Sequence, residues 1–172
     1  MEGRLKRIKL FLLDVDGVLT DGRIIFDNNG VETKAFDVKD GHGLKLLQRA
    51  GVRLGIITGR QSEVTGIRAR ELGIDILFQG VKDKLVPYLE LLQVLGLTDE
   101  EVAYMGDDVV DVPVLKRVGF SATAADGHDD VRSIVDYVAK MSGGRGAVRE
   151  VCELILQVQG HWKEAMERYE LA

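Results

Sequence analysis

Asp14 and Asp16 stand two residues apart, directly after a short apolar run and just ahead of Gly17. Further on, Thr58-Gly59-Arg60 and Gly106-Asp107-Asp108 each follow another such run, with Asp111 just beyond the second. Lys84 opens a helical pattern between them. If the runs are strands of an open α/β sheet, their ends border one crevice, and ligands bind there. Carboxylates gathered at such an edge repel one another unless a cation or a shared proton compensates. Hard carboxylate oxygens with open positions favour magnesium, which also bridges to substrate phosphates. These residue types in this pattern predict a magnesium site that handles phosphate.

The elements that must position them alternate regularly. Runs at 8–13, 52–57, 74–78 and 102–105 read as buried strands, with shorter candidates at 120–122 and 137–139. Stretches at 43–50, 62–72, 84–95 and 112–118 read as helices, each followed by a glycine at the usual C-terminal cap position. The alternation predicts an α/β fold with a doubly wound, Rossmann-like parallel sheet. Two segments depart from it. Residues 22–38 read as a protruding β-hairpin, with strands at 23–26 and 33–36 around Asp27-Asn28-Asn29-Gly30. Near the C-terminus, the spacing of Val148, Val151, Ile155, Val158 and Trp162 predicts one long helix. With no internal repeat and no linker, residues 1–172 read as a single domain.

Composition excludes several function classes. A formal net charge of −5 argues against a nucleic-acid partner, which would call for a basic excess. The single cysteine, Cys152, allows no intrachain disulfide, fits a reducing compartment, and reads as a buried apolar residue. The apolar run after the basic N-terminus stops at Asp14, too short for a signal-peptide core or a membrane span. A soluble, cytoplasmic protein without a membrane partner is expected.

The run Asp14-Val15-Asp16-Gly17-Val18-Leu19-Thr20-Asp21 resembles the first motif of the haloacid dehalogenase-like phosphatases. Thr58, Lys84 and Gly106-Asp107-Asp108 fall in the order of that superfamily's other three motifs. The resemblance implies that Asp14 attacks phosphorus and forms an aspartyl-phosphate, chemistry of which carboxylates are capable. Asp16 would protonate the leaving oxygen and then activate water. Asp14, the Asp16 carbonyl and Asp107 would hold Mg2+, which offsets repulsion between nucleophile and phosphate. Lys84 and Thr58 would stabilise the equatorial oxygens. Asp108 and Asp111 either ligate metal through water or orient Lys84, and Asp111 is equally readable as a helix N-cap.

Many members of the superfamily carry a cap domain, yet residues 16–58 hold only the hairpin and one helix here, and nothing long interrupts 58–84. The chain is expected to be capless. Within the superfamily it closely resembles the 3-deoxy-D-manno-octulosonate 8-phosphate phosphatases. The likeness rests on residues 14–22, Phe36-Asp37-Val38-Lys39-Asp40-Gly41, Thr58-Gly59-Arg60, Gly106-Asp107-Asp108 and Gly143-Gly144-Arg145-Gly146-Ala147. It implies a phosphorylated sugar-acid substrate of lipopolysaccharide precursor synthesis, contacted by Asp16, Asp37, Val38, Lys39, Asp40, Gly41, Lys45, Gly59, Arg60, Arg68 and Lys84. It also implies a homotetramer built through the hairpins, with Arg145 on a mobile glycine-rich segment able to reach an adjacent site. Lys45 and Arg68 are equally readable as solvated helix charges, and the hairpin as folded onto its own domain. A phosphatase for another sugar acid, such as a sialic acid 9-phosphate, would share the chemistry, as would a phosphotransferase. A non-catalytic tetramerisation module would have no need of the intact acids.

Overall fold

The computed structural model describes residues 1–171. In chain order its elements are helix α1 (Glu2–Leu5), strands β1 (Leu10–Leu13), β2 (Ile25–Phe26) and β3 (Glu32–Thr33), helix α2 (Val38–Arg49), strand β4 (Arg53–Ile57), helix α3 (Glu63–Leu72) and strand β5 (Ile76–Phe78). There follow α4 (Leu85–Leu95), β6 (Val102–Met105), α5 (Val112–Leu115), β7 (Phe120–Thr123), α6 (Asp129–Arg132), β8 (Tyr137–Val138), α7 (Ala147–Val158) and α8 (Trp162–Glu167). Short 3-10 turns at Asp99–Glu101 and Val109–Asp111 precede β6 and α5.

Six strands form one parallel sheet in the order β5-β4-β1-β6-β7-β8. Strand β1 sits in the middle, Leu13 paired with Ile56 on one side and Met105 on the other. The chain winds outward from β1 through β4 and β5, then returns to its other side with β6. That reversal places a crevice at the carboxyl end of β1.

Both faces of the sheet are buried, so its strands read as continuous apolar runs. Phe11, Leu13, Leu54 and Ile56 point into one core with Leu44 and Leu47 of α2 and Val148, Val151 and Ile155 of α7. Leu10, Leu12 and Tyr104 point into the other, with Tyr88 and Leu92 of α4 and Val114 of α5. Cys152 is fully buried in the first of these.

The expected strands of the main sheet lie within two residues of the observed ones. Four expected elements differ, and one is helix α5, which ends at Leu115 rather than 118. Helix α2 starts at Val38 rather than 43, because Asp37 caps it by accepting from the Lys39 N–H at 2.6 Å. The expected long C-terminal helix is two helices, α7 and α8, parted at Gly160, whose φ of +80° is incompatible with a continuing helix. In the hairpin only Ile25–Phe26 and Glu32–Thr33 pair, shorter than expected, as suits an isolated ribbon that is marginal in water.

Candidate active site

Asp14 follows the last residue of β1, and its N–H still donates to the Met105 carbonyl, so the carboxylate is fixed at the sheet edge. The chain then wraps around the Val15 carbonyl, which accepts from the N–H groups of Val18, Leu19 and Thr20. Gly17 makes this turn at φ +85°, and a Cβ there would lie 2.0 Å from Asp107 Oδ2. Only glycine allows the two acidic loops to approach this closely. On the flanking strands, Thr58 follows β4 and Gly106-Asp107 follow β6.

Lys84 enters from the start of α4, 3% exposed. Its ammonium lies 2.9 Å from Asp14 Oδ2 and 2.7 Å from Asp111 Oδ1. Asp111 is wholly buried and spends both oxygens on protein donors. Oδ1 also accepts from the Tyr104 hydroxyl at 2.5 Å, and Oδ2 accepts from the N–H groups of Asp107 and Asp108 at 3.0 and 3.2 Å. Asp108 caps the 3-10 turn, accepting from the Val109 N–H at 2.7 Å. Asp111 thus holds Lys84 and the acidic loop in place.

Oxygens of Asp14, Asp107 and Asp111 all lie within 4.8 Å of one another. Burial pushes the Asp107 carboxyl up to about 8, reinforced by the neighbouring charges of Asp14, Asp111 and Asp108. Burial raises Asp14 to about 6 against the opposing pull of Lys84. Asp14 Oδ1 is buried with no hydrogen-bond partner. An orphaned carboxylate oxygen beside a crowded second acid fits a divalent cation, and with Asp111 saturated the available side-chain donors are Asp14 and Asp107.

The cleft above these groups encloses about 310 Å³ and is lined by Asp14, Asp16, Gly22, Thr58, Gly59, Arg60, Lys84, Asp107, Asp108 and Val110. A roomier hollow between α2 and α8 contains none of the expected site residues. Thr58, Lys84, Asp14, Asp16 and Asp107, read from four separate stretches of sequence, therefore meet in one place. Gly59 and Arg60 join them.

The rest of the expected substrate group does not. Asp40 is 1% exposed, and its carboxylate accepts from the N–H groups of Gly146 and Arg149 at 3.3 and 2.8 Å, capping α7. Lys45 donates to the Leu72 carbonyl at the end of α3, the favourable place for a cation on a helix. Arg68 is held by Glu71 at 2.8 Å, by the Asp37 carbonyl at 3.4 Å, and over the Phe36 ring. Gly41 leaves room for that arginine, since a Cβ there would meet Nη2 at 2.4 Å. Asp37 is spent on its helix cap, while Val38 and Lys39 are exposed outside the cleft lining.

The glycine-rich segment is packed rather than free. Gly144 donates to the Val18 carbonyl at 2.9 Å, and a Cβ at Gly143 would fall 1.9 Å from the Gly17 carbonyl oxygen. Arg145 is exposed, with Nη2 3.7 Å from Asp21 Oδ2.

The hairpin supplies residues that the sequence reading missed. Lys34 donates to Asp16 Oδ1, and Glu32 accepts from Arg60 at 2.9 Å and from the Ser62 hydroxyl. The available signal was their spacing, since residues two apart on an extended strand share a face. The hairpin base is folded onto its own domain, while Ile24, Ile25, Phe26 and Val31 remain exposed.

Comparison with known proteins agrees with this geometry. Residues 37–119 match the haloacid dehalogenase-like hydrolase family. The 3-deoxy-D-manno-octulosonate 8-phosphate phosphatase of Escherichia coli K12 is 46% identical over 94% of this chain and 86% of its own length. That of Yersinia pestis is 49% identical over 91% and 83%. The crystal structure of the Moraxella catarrhalis phosphatase, in complex with a magnesium ion, a phosphate ion and KDO, superposes with a TM-score of 0.96 at 44% identity. It covers 98% of this chain and 97% of the other. With that identity over nearly its whole length, this chain belongs to the 3-deoxy-D-manno-octulosonate 8-phosphate phosphatase family of haloacid dehalogenase-like hydrolases.

Proposed function

We propose that the chain hydrolyses 3-deoxy-D-manno-octulosonate 8-phosphate to the free sugar acid and phosphate, with Asp14 as nucleophile, in lipopolysaccharide precursor synthesis. The observation that carries this is the unpartnered Asp14 Oδ1, buried beside Lys84 at the floor of the cleft. The names of the relatives supply the substrate.

In the first half-reaction one carboxylate oxygen of Asp14 bonds to phosphorus while the bond from phosphorus to the sugar oxygen breaks. Asp16 gives its proton to that departing oxygen. In the second half, Asp16 takes a proton from water as the water oxygen bonds to phosphorus, and the Asp14–phosphorus bond breaks to release phosphate. Lys84 and the Thr58 hydroxyl hold the equatorial oxygens during both transfers. Magnesium, held by Asp14, Asp107 and the Asp16 carbonyl, offsets the repulsion between carboxylate and phosphate. Arg60 offers a planar fork to the carboxylate of the sugar acid.

The reading includes one domain over residues 1–172, a cytoplasmic location and a homotetramer. Exposed Ile24, Ile25, Phe26 and Val31 on the hairpin support self-association. Val38, Lys39 and Arg145 are exposed, which supports their contact with a neighbour's cleft in such an assembly. Among the described residues no helix is long and apolar enough to cross a membrane.

The test is phosphate release from a panel containing the octulosonate 8-phosphate, a sialic acid 9-phosphate and hexose phosphates, with magnesium or EDTA. Preference for the octulosonate, abolished by EDTA, is expected. Preference for another sugar would move the substrate and keep the mechanism. No magnesium-dependent hydrolysis of any ester would contradict both.

A further inference from the structure

We propose that Lys34 is a positioning residue for Asp16, holding one carboxylate oxygen so that the other faces the leaving group; this rests on the phosphatase reading above. Lys34 stands on the outgoing side of the hairpin, 18 residues from its partner, yet its side chain is 1% exposed. Its ammonium donates to Asp16 Oδ1 and lies 3.5 Å from Glu32 Oε1. Glu32 is itself anchored by Arg60 and by the Ser62 hydroxyl, so the lysine is fixed from both ends. Thr33 and Ala35, the alternate residues, face solvent. A lysine loses rotamer freedom when fixed in this way, and a surface charge has no need of that cost.

The consequence is geometric. With Oδ1 taken by Lys34, Asp16 Oδ2 is left in a looser ion pair, 3.7 Å from Arg60 Nε at the cleft wall. When the ester bond breaks, the proton passes from Oδ2 to the leaving oxygen as the Asp14 carboxylate bonds to phosphorus. Loss of Lys34 frees the Asp16 carboxyl to rotate and misplaces that proton. The damage scales with how much the leaving group needs it. A poor leaving group such as phenolate depends on the proton, whereas p-nitrophenolate departs almost unaided.

The experiment compares kcat/KM for phenyl phosphate and p-nitrophenyl phosphate in the wild type, Lys34→Met, Lys34→Arg, Asp16→Asn and the Asp16→Asn/Lys34→Met double variant. Melting curves of each variant accompany the rates. Because kcat/KM reports only through departure of the leaving group, the later hydrolysis of the aspartyl-phosphate does not mask the effect. In Lys34→Met the phenyl ester is expected to lose about 10-fold more than the p-nitrophenyl ester, a share of a general acid's usual contribution. Lys34→Arg should restore most of that difference, and Lys34→Met should cost nothing further once Asp16 is Asn. Equal losses on both esters, or no loss on either, would overturn the role of Lys34. With the octulosonate 8-phosphate run alongside, a wild type that hydrolyses none of the three esters would overturn the phosphatase reading itself.

Discussion

Asp111 and Lys84 form a buried ion pair, Oδ1 to Nζ 2.7 Å, beneath the carboxylate of Asp14. The pair does two things at once. It keeps Lys84 charged and aimed at Asp14, and through Oδ2 it fixes the backbone of Asp107 and Asp108. Removing Asp111 leaves the Tyr104 hydroxyl and the N–H groups of Asp107 and Asp108 without their buried acceptor, and leaves Lys84 with Asp14 as its remaining partner. Asp111→Ala is therefore expected to destabilise the fold by about 3–5 kcal/mol and to abolish turnover. Asp111→Asn, which keeps the shape but not the charge, should lose less stability while still cutting kcat at least tenfold. Denaturant unfolding and initial rates on the same preparations check both.

Gly17 is predicted to be irreplaceable for a different reason. Alanine there must adopt a left-handed backbone, a strain of about 1–3 kcal/mol, and its Cβ collides with the Asp107 carboxylate. Asp107 cannot keep its place, so Gly17→Ala should raise the magnesium concentration needed for half-maximal activity by at least tenfold. A magnesium titration of activity reads this directly.

Asp40 makes stability depend on pH in a definite direction. Burial raises its carboxyl from 3.8 to about 6, although the N–H groups of Arg149 and Gly146 pull the other way. A raised folded-state pKa means that the folded chain holds a proton which the unfolded chain has released. The resulting stabilisation is complete below about pH 4 and is lost as pH rises through about 6. Relative to Asp40→Asn, which cannot titrate, the wild type should lose about 2 kcal/mol between pH 4 and 7. Urea unfolding across that range checks the slope, and a gain for the wild type as pH rises would contradict it.

The proposed self-association through the hairpin makes its own prediction. Phe26 is 57% exposed beside Ile24 and Ile25, away from the anchoring contacts of Glu32 and Lys34. Phe26→Asp should leave the fold intact and shift light-scattering mass from tetramer to smaller species. A monomeric wild type would contradict the assembly.

What could be read from sequence follows from how far apart the interacting residues lie. Asp14, Thr58 and Asp107 were legible because each follows directly on a strand, and a parallel sheet brings such positions together whatever the details. Lys84 was legible through its place ahead of a helical run. Asp40 was not, because the groups it caps lie 106 and 109 residues away, and a buried cap looks like a polar ligand until its helix is found. Lys45 likewise answers to a carbonyl 27 residues on. Glu32 and Lys34 were hidden because the docking of a hairpin is a tertiary fact, although their alternation marked them as sharing a face. The break between α7 and α8 was signalled by Gly160, which the apolar spacing on either side outweighed.

In the proposed mechanism Asp14 becomes phosphorylated, and rapid acid quenching traps that intermediate. Wild-type chain mixed with magnesium and ester carrying labelled phosphate should yield protein-bound label during turnover. That label should map to the peptide containing Asp14, be released by hydroxylamine, and be absent from Asp14→Asn, which should also be inactive. Magnesium-dependent phosphate release that persists in Asp14→Asn, with no label on the protein, would contradict the account.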